Sequence, residues 1–166
     1  MTGIDPALEA ELSAVYEEVM WLAARSNISP SMARAWYTHV RAGKLSRRIR
    51  HFSGKVSWRA ANEHDSVLRL EHHKRLQTTL TSLVATHLER AKPDKMEFIR
   101  TIIECENVHI VTFRENYDAM KASGDYKLAG IRLVPWRSLP RERQQVLWAS
   151  VLRGRVANAE AFRPKP

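Results

Sequence analysis

The chain has 166 residues, 44% of them hydrophobic, and a net charge of +9. That suits one domain, or one with a small appendage, and supplies a core that needs no disulfide or metal staple. No apolar run is long enough to cross a bilayer, and the acidic start MTGIDPALEAEL is unlike a secretory signal. The single cysteine, Cys105, excludes an internal disulfide and lacks the companions of a zinc site, so a reducing, cytoplasmic setting with no metal or cofactor is expected.

Asp5-Pro6 is a helix start, a carboxylate cap followed by proline in the first turn. Leu8, Leu12, Val15, Val19 and Leu22 then recur at spacings of four and three, predicting one helix with an apolar stripe to about residue 25. Ser29-Pro30 opens a second helix in which Met32, Ala35, Trp36, His39 and Val40 share a face and Gly43 marks the end. Residues 44 to 62, KLSRRIRHFSGKVSWRAAN, are basic with interleaved Ile49, Phe52, Val56 and Trp58. They predict a short helix, a break at Ser53-Gly54, and then another short helix or a turn. Alternation from Val67 to Glu71 predicts a strand.

Lys74 to Arg90 carries a helical stripe through Leu76, Leu80, Leu83, Val84 and Leu88. Pro93-Asp94 opens another helix, with Phe98, Ile99, Ile102 and Ile103 inward. NVHIVTF, residues 107 to 113, is the best strand pattern in the chain, rich in β-branched and aromatic residues. RENYDAMKAS follows as a helix. IRLVPW, residues 131 to 136, predicts a further strand ended by Pro135. Ser138-Leu139-Pro140 caps a last helix to about Asn158, leaving FRPKP as a frayed tail. The expected fold is an α-rich α+β arrangement. A helical basic unit over residues 1–60 precedes a small α/β unit over 61–166, with two or three short strands and a role in dimerisation or partner contact.

The charge is concentrated. From Arg34 to Arg75 there are eleven lysines and arginines against three acids, so this segment carries +8 of the +9. Such a concentration points to a polyanion, most often nucleic acid. It begins beside the stretch LAARSNISPSMARAW, residues 22 to 36. There Leu22-Ala23 supplies a core leucine and a small crossing residue. Asn27 is expected in the left-handed conformation, Ile28 buried at the corner, and Trp36 returned to the core.

Residues 19 to 38 resemble the helix-turn-helix of phage-repressor-like bacterial regulators, whose corner reads Leu-Ala, three variable residues, Gly, Val, Ser-Pro-Ser. Here Asn27 replaces the glycine, and Ala33 stands where a β-branched residue is usual. The resemblance implies that Ser29, Ser31, Met32 and Arg34 open a recognition helix, with Arg34 addressing guanine in the major groove. Arg41, Lys44, Arg47, Arg48, Arg50, Lys55 and Arg59 would then hold phosphates. The leading expectation is a regulatory protein that binds duplex DNA, as a homodimer on two half-sites.

Three other readings remain open. Glu71 and His72 end one predicted strand and His109 lies in another; if they converged, with Glu104 or Glu106, they would form a metal or general-base site for phosphodiester hydrolysis. The pattern departs from that of HNH-type nucleases, because Asn107 precedes His109 by only two residues and no histidine follows Asn116. Trp58, Trp136 and Trp148 are candidates for stacking unpaired bases, although core packing is the better account of them from sequence. The third option is a basic interaction or inhibitor protein with an acidic protein partner.

Overall fold

A computed structural model describes residues 4–90 and 93–165. The ends of the MTGIDPALEAEL and FRPKP stretches, residues 1–3 and Pro166, lie outside these. Along the chain run α1 (Pro6–Ala23), α2 (Pro30–Trp36), a π-helical turn (Tyr37–Arg41), α3 (Ala42–Ile49), β1 (His51–Ser57), α4 (Trp58–Asn62) and β2 (Leu68–His72). Then come α5 (Leu76–Glu89), α6 (Lys95–Cys105), β3 (Asn107–Thr112), α7 (Phe113–Lys121), β4 (Leu133–Pro135) and α8 (Arg141–Leu147). A π-helical turn (Trp148–Leu152) and a 3-10 turn (Ala159–Phe162) follow. The fold is α-rich α+β with one mixed four-stranded sheet. No helix among the described residues is long and apolar enough to cross a membrane.

The chain divides into two units, each discontinuous in sequence: Met1–Leu45 with Leu76–Cys105, and Ser46–Arg75 with Glu106–Pro166. The expected boundary at residue 60 is therefore not a domain boundary. It would cut off β1, which is bonded to β3 on one side and β4 on the other.

The first unit is helical. Asp5 Oδ2 accepts from Leu8 N at 3.2 Å, with Pro6 in the first turn, so α1 starts where the sequence indicates. Its buried stripe is Leu8, Leu12, Val15, Tyr16 and Val19. Against it pack Leu80, Val84 and His87 of α5 and Phe98, Ile99 and Ile102 of α6. His87 is buried yet satisfied: one ring nitrogen lies 3.0 Å from the Tyr16 hydroxyl and the other 3.1 Å from Glu97 Oε2.

Ser29 caps α2, accepting from Met32 N at 3.2 Å. The face of α2 is not the expected one. Ala33, Arg34 and Tyr37 point inward, whereas Met32, Trp36, His39 and Val40 are exposed. The helical path also does not stop at Gly43, which lies inside α3.

The second unit is built on the sheet, whose order is β2-β3-β1-β4. β1 runs parallel to β3 and antiparallel to β4, and β2 runs antiparallel to β3. The predicted helix break at Ser53-Gly54 is instead an irregularity within a strand. Phe52 pairs with Val108 and Val56 with Ile110, so β1 holds extra residues between the two matches. Gly54 absorbs them with φ +76°, a conformation that L side chains rarely adopt.

Phe52, Val56, Val108 and Ile110 face a core shared with Trp136, Leu147, Trp148 and Leu152. Phe162 packs edge-on to Phe52, with ring centroids 4.7 Å apart, so the first residue of the supposed frayed tail is part of this core. The last helix is shorter than expected, since α8 gives way to a π-helical turn after Leu147.

Candidate functional site

The helix-turn-helix reading requires polar side chains free to reach DNA. Arg34 is 9% exposed, and its guanidinium donates to Thr81 Oγ1 at 3.3 Å, Thr38 Oγ1 at 3.0 Å and Ser31 Oγ at 3.4 Å. It is built into the first unit and presents no free fork to a base. Ser29 is committed to the helix cap and Ser31 to Arg34. Arg41 pairs with Glu18 at 3.5 Å, and the same carboxylate accepts from Trp36 Nε1 at 2.7 Å.

Asn27 does not take the left-handed conformation, since Ser123 is the only non-glycine residue with positive φ among those described. Ile28 is half-buried rather than enclosed. The outward face of α2 shows Met32 and Trp36, which is poor chemistry for a phosphate-lined groove.

Glu71, His72 and His109 do not converge. Successive residues of a strand point to opposite faces. Glu71 lies opposite His109 in the β2–β3 register, whereas His72 points the other way. His72 Nε2 is 3.2 Å from Glu106 Oε2, which also accepts from Arg50 Nε at 3.0 Å. Arg50 is therefore committed within the second unit rather than free for a phosphate. Burial alone would raise the Glu106 carboxyl, but His72 and Arg50 outweigh it and hold it below the usual carboxylate range. Among the described residues no group of three or more His, Cys, Asp or Glu is placed to hold a metal ion.

On the other face of the sheet, Ser53 Oγ accepts from Lys55 N at 3.2 Å and lies 2.5 Å from His109 Nδ1. Burial pushes His109 down to about 4, helped by the neighbouring His73 and Lys55. Its ring is therefore neutral at pH 7, and in the tautomer protonated on Nε2 its Nδ1 would accept the Ser53 proton. In that tautomer the serine and the neutral imidazole would form half of a nucleophile–base pair. Such a weakly basic imidazole is a poor proton acceptor, and among the described residues no carboxylate bonds to the ring to orient it. The arrangement fits a structural polar contact. Tyr126 packs edge-on to His109, its hydroxyl buried without a hydrogen-bond partner among the described residues. Burial raises that phenol, reinforced by the Glu71 and Glu115 carboxylates.

A surface that combines exposed aromatic and cationic side chains lies at the end of β1. Ser57 is buried and its Oγ accepts from Ala60 N at 3.0 Å, starting α4 with Trp58 at its first position. The Trp58 backbone N donates to Arg132 O at 2.7 Å. With its backbone held in this way, Trp58 stays 48% exposed, which overturns its expected place in the core; Trp136 and Trp148 are the buried pair.

Trp58, Arg59, Arg132, Gly130 and Glu115 line a cleft of about 310 Å³. A second cleft of about 320 Å³ shares Arg59 and adds Phe113, Arg114, Thr112, Val67, Ser66 and Glu63. Phe113 is 55% exposed, and the Arg69 guanidinium sits 5.2 Å from its ring centroid. Neither the Arg59 nor the Arg132 guanidinium is bonded to a described side chain or backbone oxygen, and both are exposed. Lys44, Arg47, Arg48 and Lys55 are also exposed.

The unit boundaries sharpen the charge reading. The first unit carries eight lysines and arginines against nine acids; the second carries nineteen against nine, a net +10. Two of those nine, Glu106 and Glu115, are buried. No family model matches this chain, and neither does any curated protein or solved structure. Function must then be argued from the site's own chemistry.

Of the residues around the clefts, the Thr112–Glu115 capping box could have been read from its spacing, and Trp58-Arg59 as an adjacent aromatic and cation. Arg132 and Gly130 carry no local signal, because the loop after α7 brings them there.

Proposed function

We propose that the second unit binds unpaired nucleic acid, using the two adjoining clefts as a stacking track. One observation carries this reading: exposed Trp58 and exposed Phe113 border clefts that share Arg59, which pairs with no described residue, with Arg132 lining one cleft and Arg114 the other. Single-strand binders combine these elements, aromatic faces for successive bases and cations for the backbone between them. Bases inside a duplex are already stacked on one another and offer no free face, so such a track favours strands that are not paired. The net +10 of the same unit adds attraction at long range, screened by salt.

The expected partner is still nucleic acid, but the reading surface moves from α2 to the end of the sheet. Regulation of transcription through a groove-reading helix would need an Arg34 free of its present partners.

The test is fluorescence anisotropy with a labelled single-stranded oligonucleotide and its duplex. Trp58→Ala and Phe113→Ala should each weaken single-strand binding by about tenfold, the loss of one stacked base. Both side chains are exposed, so thermal melting should hardly move. Unchanged affinity in both variants, or tighter binding of the duplex by the native chain, would refute the proposal.

A further inference from the structure

We infer that the cleft beside Trp58 selects guanine. The inference rests on the nucleic-acid reading above and adds a base preference to it. Stacking on Trp58 accepts any base, because every base has a π-face. Selection has to come from the edge of the cleft, and there the structure places a carboxylate.

Glu115 is 4% exposed and lines the cleft. Its Oε2 accepts from Thr112 N at 3.0 Å, Thr112 Oγ1 at 3.1 Å and Ser57 Oγ at 2.5 Å. These bonds lock the side chain in place. All three go to one oxygen, and Oε1 bonds to no described residue. A carboxylate has about four lone-pair sites in all, so Oε1 keeps its accepting capacity.

An acceptor beside a stacked base rewards a donor edge. Guanine presents two adjacent donors, N1–H and the N2 amino group, on its Watson–Crick edge. Adenine and cytosine present one amino group beside an acceptor nitrogen. Thymine and uracil flank a single N–H with two carbonyls, which a carboxylate repels. Gly130 keeps the rim low: at φ +68° a side chain would be strained there, and a Cβ would meet nothing within 4 Å. Arg59 and Arg132 remain for the flanking phosphates, which neutralises the cost of bringing a polyanion toward Glu115.

The experiment uses the full chain and oligothymidylates that differ only at one central position: guanine, hypoxanthine, adenine or thymine. Hypoxanthine keeps N1–H and lacks the N2 amino group. The guanine oligomer should bind about tenfold more tightly than the all-thymine one, with hypoxanthine between them, as a paired donor contact implies. Uridine oligomers with one guanosine should show the same order.

Glu115→Gln offers a donor as well as an acceptor and should abolish the guanine advantage. Because that substitution also touches the α7 cap, the hypoxanthine comparison provides the same test without altering the protein. Equal affinity for all four oligomers, with binding that still depends on Trp58 and on salt, overturns the guanine inference and leaves the single-strand reading standing. No binding to any oligomer overturns both.

Discussion

Replacing Glu106 by alanine is expected to destabilise the second unit by about 3 kcal/mol, at the low end for a broken buried ion pair. The side chain is almost wholly enclosed and its Oε2 is shared by Arg50 and His72. Removing it strands a guanidinium that is only 22% exposed and leaves His72 without its acceptor. It also removes one end of the link between β2 and the strand end where β1 and β3 start side by side.

Urea unfolding at pH 7 measures the loss. Arg50→Ala made alone and in combination with Glu106→Ala gives the coupling between the two residues. A second signature is in acid. Glu106 is held below its ordinary range, so its contribution is present above about pH 4.5 and is lost as pH falls through its folded-state value. The alanine variant should show a shallower acid limb. A loss under about 1 kcal/mol, well below the range for buried pairs, would mean that Arg50 and His72 are as well served by water.

His109 predicts a different pH window. It titrates at about 4 when folded, from an unfolded value near 6.5. Between these values the unfolded chain binds a proton that the native chain excludes, so stability rises with pH across that range. The contribution is complete above about pH 6.5 and lost as pH falls toward 4. With the ring only 4% exposed, the full shift corresponds to about 3 kcal/mol. His109→Gln, which keeps an acceptor for Ser53, should flatten the stability profile between pH 6.5 and 4.5 while leaving the Glu106-dependent fall below it. An unchanged slope in that window would show that the imidazole is not held neutral by its surroundings.

His109 lies on β3 and Glu106 directly precedes it, in a sheet that alternation revealed only in part. β3 was legible because Val108, Ile110 and Val111 give a dense β-branched run. The α1 stripe was legible because the helix meets its unit on one side only. β1 was hidden: its inward Phe52 and Val56 are separated by the irregular Ser53-Gly54-Lys55, and its basic flanks look like a solvated connector. The α2 face was misread for a physical reason too. A buried arginine, satisfied by two threonines and a serine, does the inward work that the pattern assigned to Trp36 and Met32.

The site was legible in fragments. Concentrated charge was read along the chain, and Arg59 and Trp58 were named separately, Trp58 with the core as its better account; the Thr112–Glu115 spacing was present but unread. What joined them was not visible, since Arg132 reaches Trp58 through a backbone bond between β4's approach and α4. Motif spacing reports neighbours in sequence, whereas the clefts are made by sheet pairing.

The proposed track has cations whose only assigned task is holding phosphates. Binding of a single-stranded oligonucleotide should therefore be measured across a salt series for the native chain and for Arg59→Ala combined with Arg132→Ala. Each neutralised phosphate on a single strand contributes about 0.7 to the slope of log affinity against log salt, so the double variant should be shallower by about 1.4. A slope unchanged by the double substitution would contradict the account, because the two arginines would then touch no phosphate.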